Sequence, residues 1–255
     1  LLLIVAGSKT YTSIQRTAEQ KLEFKECRTY DDYSSFIKKH PDSSLKSTCD
    51  SILHEFNALR NDGRASVNNT GNRDIKDREK EWVDVKWNPT ITLPQLRSLV
   101  DMMNNMLLIP AKKKEFIMGK ATGKGYDSPQ HTVVLSSDYY MYKYEVTRSL
   151  WYAVMNDSIV TEKGMLPMTH ITWNDAEAFT KELNKLTGLP FSLPTEAQWE
   201  YAATGGESYP YAGSDNIRDV AYYASNANER LHPVGEKHEN GFDLYDMSGN
   251  AAEWC

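Results

Sequence analysis

The chain changes rhythm at Met106, and that change limits what it can fold into more than any other feature. From there onward the short apolar runs LLIP, EFIMGK, HTVVL and YYMYKYEVT are separated by turn-forming residues, and each reads as a short strand. Two helices interrupt the strands with clear start and stop signals. Over residues 173–186, Ala176, Phe179, Leu183 and Leu186 share one face, and Gly188 is placed to end the helix. The second helix starts at Thr195, whose hydroxyl caps it while Gln198 reaches back, ahead of Trp199, Tyr201 and Ala202. A third, short helix is expected after Thr147. Mixed short strands with few long helices predict an α+β domain over residues 105–255.

Ahead of this domain the pattern is helical. Residues 29–57 read as a helical hairpin within an N-terminal region assigned to residues 1–60. Tyr33, Phe36 and Ile37 share a face, Pro41 breaks the chain, and Leu45, Cys49, Ile52, Phe56 and Leu59 recur at helical spacing, with Ser43 or Ser44 as N-cap. The stretch YDDYSSFIKKHPDSS resembles helical repeats that accompany many bacterial envelope and signalling proteins. The opening LLLIVAG is far shorter than the roughly 20 residues of a membrane span. Two readings of it stand: the trimmed end of a signal peptide or membrane helix, which implies a membrane tether, and an ordinary buried start.

Residues 61–104 connect the two parts. The run RNDGRASVNNTGNRDIKDREKE buries little and reads as a solvated linker, with a glycosylation sequon at Asn68-Asn69-Thr70. Residues 82–87 alternate in strand fashion, and residues 93–106 read as a helix.

Charge and cysteine usage exclude several function classes. The formal net charge of -6 is dispersed and no basic stripe tracks a phosphate backbone, so nucleic acid is not an expected partner. Cys27, Cys49 and Cys255 fall in no CxxC or Cys/His arrangement, so no zinc site is expected. Cys27 and Cys49 can be bridged only if their Cα atoms come within about 7 Å; buried thiols are the alternative.

Several stretches taken together carry a resemblance. MLLIPAKKKEFIMGK, DSPQHTVVLSSDYYMYKYEVTRSLWYAVM, PMTHITWNDAEAFTKELNKLTGLPFSLPTEAQWEYAATGG, HPVGEKHENGFDLYDMSGN and the EW at Glu253-Trp254 resemble, in order and spacing, the formylglycine-generating-enzyme or sulfatase-modifying-factor family, a variant of the C-type-lectin fold. The resemblance covers residues 106–255. Most of these residues read as scaffold: Glu145-Val-Thr leads a strand into a capped helix, and LPTEAQWEYA sets Trp199 and Tyr201 in reach of the core. The chain departs from the family pattern at Ser192, where arginine is usual, at Asp243, where glycine is usual, and in GNAAEW, where Ala252 replaces a large aromatic.

The resemblance implies a structural calcium site at LYDMSGNAAEW. Its ligands would be the side chains of Asp246 and Glu253 and the carbonyls of Gly249 and Ala251, with a carboxylate-and-carbonyl shell suited to a hard cation. The alternative reading of the same residues is a hydrogen-bonded turn. Active oxidases of the family use a cysteine pair to bind copper and attack substrate, and none of this chain's thiols falls at those positions. The six histidines show no three-histidine iron set of the sister branch. The expected function is therefore a non-catalytic recognition or assembly module with a protein partner, like the envelope lipoproteins of secretion and gliding machines that carry this domain without its cysteines. That likeness places it at the bacterial cell envelope. The alternative is a copper-dependent oxidase whose cysteine pair lies in a segment beyond residue 255.

Overall fold

The computed structural model describes residues 27–40, 46–62, 64–66, 82–84, 87–88, 90–121, 128–156 and 164–255. The expectations for LLLIVAG, Pro41, Ser43, Ser44, Leu45, the sequon and nearly all of the polar run lie outside them.

Helix α1 (Tyr30–Lys39) starts where Thr29 and Asp32 close a capping box: Asp32 N–H donates to Thr29 Oγ1 at 3.2 Å and Thr29 N–H to Asp32 Oδ2 at 2.8 Å. It buries Tyr33 and Phe36. Helix α2 (Lys46–Asp62) presents Cys49, Ile52 and Phe56 on one buried face. A two-stranded ribbon follows, β1 (Arg64–Ser66) antiparallel to β2 (Trp82–Asp84), with Ala65 opposite Val83.

Helix α3 (Leu93–Asn104) begins at a second capping box, Thr92 with Gln95, and has proline in its first turn, where a missing N–H costs nothing. It ends two residues short of the expected Met106, which opens β3 (Met106–Ile109). Strand β3 pairs antiparallel with β6 (Tyr139–Tyr142), Met106 opposite Tyr142, and β4 (Glu115–Met118) pairs with β5 (His131–Val134). The remaining helices are α4 (Arg148–Met155), α5 (Trp173–Thr187), α6 (Glu196–Thr204) and the single turn α7 (Ile217–Val220). Thr147, Thr172 and Thr195 cap α4, α5 and α6, and the left-handed Gly188 and Gly205 end α5 and α6. The molecule is α+β, with small helices ahead of the mixed domain.

Two apolar clusters form the interior. The smaller packs Leu107, Ile109, Leu135, Tyr201, Phe242 and Leu244, with Tyr201 at its centre: its ring meets Phe116 and Phe242, and its hydroxyl donates to the Pro110 carbonyl at 3.0 Å. The larger runs without a break from Tyr33, Phe36 and Phe56 of the hairpin, through Leu96 and Leu99 of α3, to Trp151 of α4 and Phe179 of α5. Trp151 and Phe179 stack with 4.9 Å between centroids. The hairpin thus shares its core with the residues beyond 105. Helix α3 makes this possible because it buries a wide face, Leu93, Leu96, Leu99, Val100, Met102 and Met103, and exposes only the stripe of Arg97, Asp101 and Asn104.

Candidate functional site: the Glu145 loop

The segment between β6 and α4 is fixed on both sides. Met168 N–H donates to Val146 O at 2.8 Å, and Leu150 N–H to the Thr147 hydroxyl at 3.2 Å. This holds Glu145 inside the protein, at 5% exposure. Its carboxylate receives two donors from a loop far along the chain: Asn250 Nδ2 at 2.7 Å and Ala251 N at 2.8 Å. Burial pushes the Glu145 carboxyl up to about 8; the Asn250 bond opposes the rise, the Asp246 and Glu253 charges add to it, and the Ala251 N–H opposes it.

The loop itself is built by residues that tolerate positive φ. Asp243, Asp246 and Asn250 sit at φ 61°, 59° and 62°. Asn250 ties three strands of chain together. Its Oδ1 accepts from His232 N–H at 3.0 Å, its Nδ2 also reaches the His232 carbonyl at 3.1 Å, and its own N–H donates to Tyr222 O at 2.8 Å. His232 in turn stacks flat on Tyr222, with 3.6 Å between centroids. Gly249 is required sterically, since a Cβ there would lie 2.2 Å from the Tyr222 carbonyl.

Asp246 is buried, with Oδ2 accepting from Gly235 N–H at 2.8 Å, while Oδ1 has no hydrogen-bond partner. Burial and the nearby Glu236 charge push its carboxyl up, and the Gly235 bond opposes them. Glu253 accepts from the Trp199 indole Nε1 and feels the Asp246 charge. Glu145, Asp246 and Glu253 thus take different partners around one turn, and the charges of Asp246 and Glu253 act on Glu145.

Residues 96–255 match the model of the sulfatase-modifying factor enzyme 1-like domain. The chain belongs to this family. Among curated relatives, the chaperone protein LppX of Paenibacillus barcinonensis is 34% identical, over 48% of this chain and 63% of that protein. The formylglycine-generating enzyme of Streptomyces coelicolor is 35% identical over 38% of this chain and 34% of the enzyme. The chain therefore spans less than two thirds of the length of either. Among solved structures, Treponema denticola variable protein 1 superposes with a TM-score of 0.50 at 28% identity, covering 59% of this chain and 71% of that one.

In this sulfatase-modifying-factor domain the residues singled out from sequence meet in one loop, each with a separate partner. Asp246 turns to Gly235 and Glu253 to Trp199; Gly249 packs its backbone on Tyr222, and the Ala251 N–H serves Glu145. Among the described residues no group of three or more His, Cys, Asp or Glu side chains could hold a metal ion, so an ion here would have to draw on backbone carbonyls. Asp243 occupies a left-handed position, which explains why glycine suits it in the family pattern and why aspartate is a workable substitute. Sequence reading left Glu145 as scaffold, because its partners stand 105 and 106 residues away.

Beside the loop the sulfatase-modifying-factor domain opens a cavity of about 770 Å³, where aromatic and methionine side chains, among them Tyr142, Trp151, Met168, Phe179, Trp199 and Met247, share the lining with aliphatic and polar residues. Trp199, expected near the core, faces this cavity instead, and Ala252 and Trp254 stand on its wall. The three cysteines lie elsewhere. Cys27 and Cys49 are buried in the helical part of the larger cluster, and Cys255 is exposed. No helix among the described residues is long and apolar enough to cross a membrane.

Proposed function

We propose that the chain is a non-catalytic recognition module that takes apolar segments of a protein partner, working outside the cytoplasm of a bacterium. The observation that carries this is the cavity: broad, apolar, walled by aromatic and methionine side chains, and with all three thiols outside its lining. Methionine and aromatic walls adapt to varied apolar side chains, which suits peptide capture rather than the fixed geometry of chemistry at sulfur. The likeness to a chaperone protein points the same way.

Two measurements test this reading. A cysteine-containing sulfatase peptide incubated with the chain, copper and oxygen keeps its mass; conversion of its cysteine to an aldehyde overturns the proposal. A permanently unfolded probe, reduced and carboxymethylated α-lactalbumin, binds the chain, and Trp199→Ala with Met247→Ala weakens that binding about tenfold. Failure of the probe to bind, or equal binding by the variant, counts against the cavity.

The loop beside the cavity has a second role in this reading, a structural calcium ion. Asp246 Oδ1 is a buried carboxylate oxygen with no donor, an arrangement that a cation relieves. The Asp246 and Glu253 carboxylates and the Gly249 and Ala251 carbonyls would hold the ion, and its charge would offset the repulsion among the acids. Calcium at about a hundred times its dissociation constant then adds roughly 2.7 kcal/mol of stability. The melting temperature rises with calcium and falls with chelator, and Asp246→Ala removes the difference. Identical melting in both conditions rejects the ion.

A further inference from the structure

Six of the chain's nine methionines, Met102, Met103, Met106, Met141, Met168 and Met247, line the cavity. They divide by access. Met102, Met103 and Met106 are buried at 3%, 4% and 6% exposure, whereas Met141, Met168 and Met247 are only partly buried. Met141 and Met247 pack on the smaller apolar cluster and Met168 on the larger, so accessible thioethers from both clusters meet at the cavity. Leucine would give the wall the same apolar character; a thioether adds a sulfur lone pair that oxidants attack. Three donors of the wall are already spent: the Trp199 indole on Glu253, the Trp254 indole on the Ile171 carbonyl at 3.2 Å, and the Tyr139 hydroxyl on the Gln198 carbonyl at 2.6 Å. A sulfoxide oxygen formed beside them turns to water, and water held in the cavity competes with an entering apolar side chain.

We propose, on the reading that the cavity is the recognition site, that Met141, Met168 and Met247 are oxidation sites and that their conversion to sulfoxides by hydrogen peroxide closes the cavity to apolar segments. A thioether sulfur attacks one oxygen of the peroxide. The S–O bond forms as the O–O bond breaks, and the proton on the transferred oxygen passes to the departing hydroxide to give water. The sulfur is oxidised by two electrons and the peroxide is reduced by two. No net charge changes, so the effect is confined to the polarity and shape of the wall.

The full chain carrying Cys255→Ser, Met155→Leu and Met165→Leu, which removes an exposed thiol and two exposed thioethers that lie off the lining, is treated with hydrogen peroxide and then with catalase. Peptide mass spectrometry is expected to find one added oxygen at Met141, Met168 and Met247 ahead of Met102, Met103 and Met106. Binding of reduced, carboxymethylated α-lactalbumin weakens about tenfold. Methionine sulfoxide reductases A and B, which act on opposite epimers, restore it with dithiothreitol as reductant. In the same chain with Met141→Leu, Met168→Leu and Met247→Leu, peroxide leaves the affinity where it started, whatever that value is. Thioethers that stay reduced, sulfoxides at all three with undiminished binding, a loss that the reductases do not reverse, or a loss that persists in the leucine variant overturns the proposal. Absence of binding before peroxide overturns the recognition reading itself, and the proposal falls with it.

Discussion

Asn250 does the work of a clamp with one side chain. It binds both backbone groups of His232 and the Glu145 carboxylate, while its own backbone bends through the left-handed region. Removing its amide leaves the His232 N–H and a buried carboxyl short of partners, and an alanine there adds the cost of positive φ. Asn250→Ala is expected to lower stability by about 2 to 4 kcal/mol, and Asn250→Gly by about 1 kcal/mol less, because glycine keeps the backbone shape. Thermal melting of the two variants checks the order; an alanine variant as stable as the glycine one would mean that the conformation carries no cost. The residues that make the site differ in how far sequence exposes them. Gly249, Asn250 and the flanking acids announce a tight turn, whereas Glu145 looks like any acid at a strand end until the fold brings residues 250 and 251 to it.

The helices were legible in the sequence because their ends are chemical signals. Thr172 with Asp175 and Thr195 with Gln198 close capping boxes, and the apolar face of α5 is the one read from spacing. Pairing of the strands was not legible, since runs of four residues carry no register and their partners are set by contacts distant in sequence. The hairpin offers a direct test of capping. Burial alone would raise the Asp32 carboxyl, but bonds from the Arg28 and Thr29 N–H groups and the Thr29 hydroxyl outweigh it and hold the group below the usual carboxylate range. A carboxylate favoured in the folded state adds stability at neutral pH, and that part is lost as pH falls through its lowered folded value. Asp32→Ala should cost about 1 kcal/mol at pH 7 and progressively less below about pH 4, measured by urea unfolding across pH. A cost independent of pH would assign the effect to helix propensity instead.

At the scale of the whole molecule, the larger core joins hairpin and domain. Helix α3 is legible as a helix from its periodicity, but its buried face is wide, and periodicity does not say how many neighbours will cover it. Because Phe56 shares that core with Trp151 and Phe179, the chain should unfold in one transition. Phe56→Ala, costing about 3 to 5 kcal/mol, should shift calorimetric and tryptophan-fluorescence melting together. A separate early transition confined to far-ultraviolet circular dichroism would show that the hairpin melts alone. The Arg97–Glu55 ion pair between α3 and α2 is largely exposed and adds little to this coupling. More telling is the antiparallel bridge between Thr29 and Thr92, the two residues that cap α1 and α3. If the chain is held from a point ahead of Cys27, tension does not have to travel around the hairpin. It enters the main body at Thr92, loading the start of α3 in shear, so the hairpin carries no load until that bridge parts.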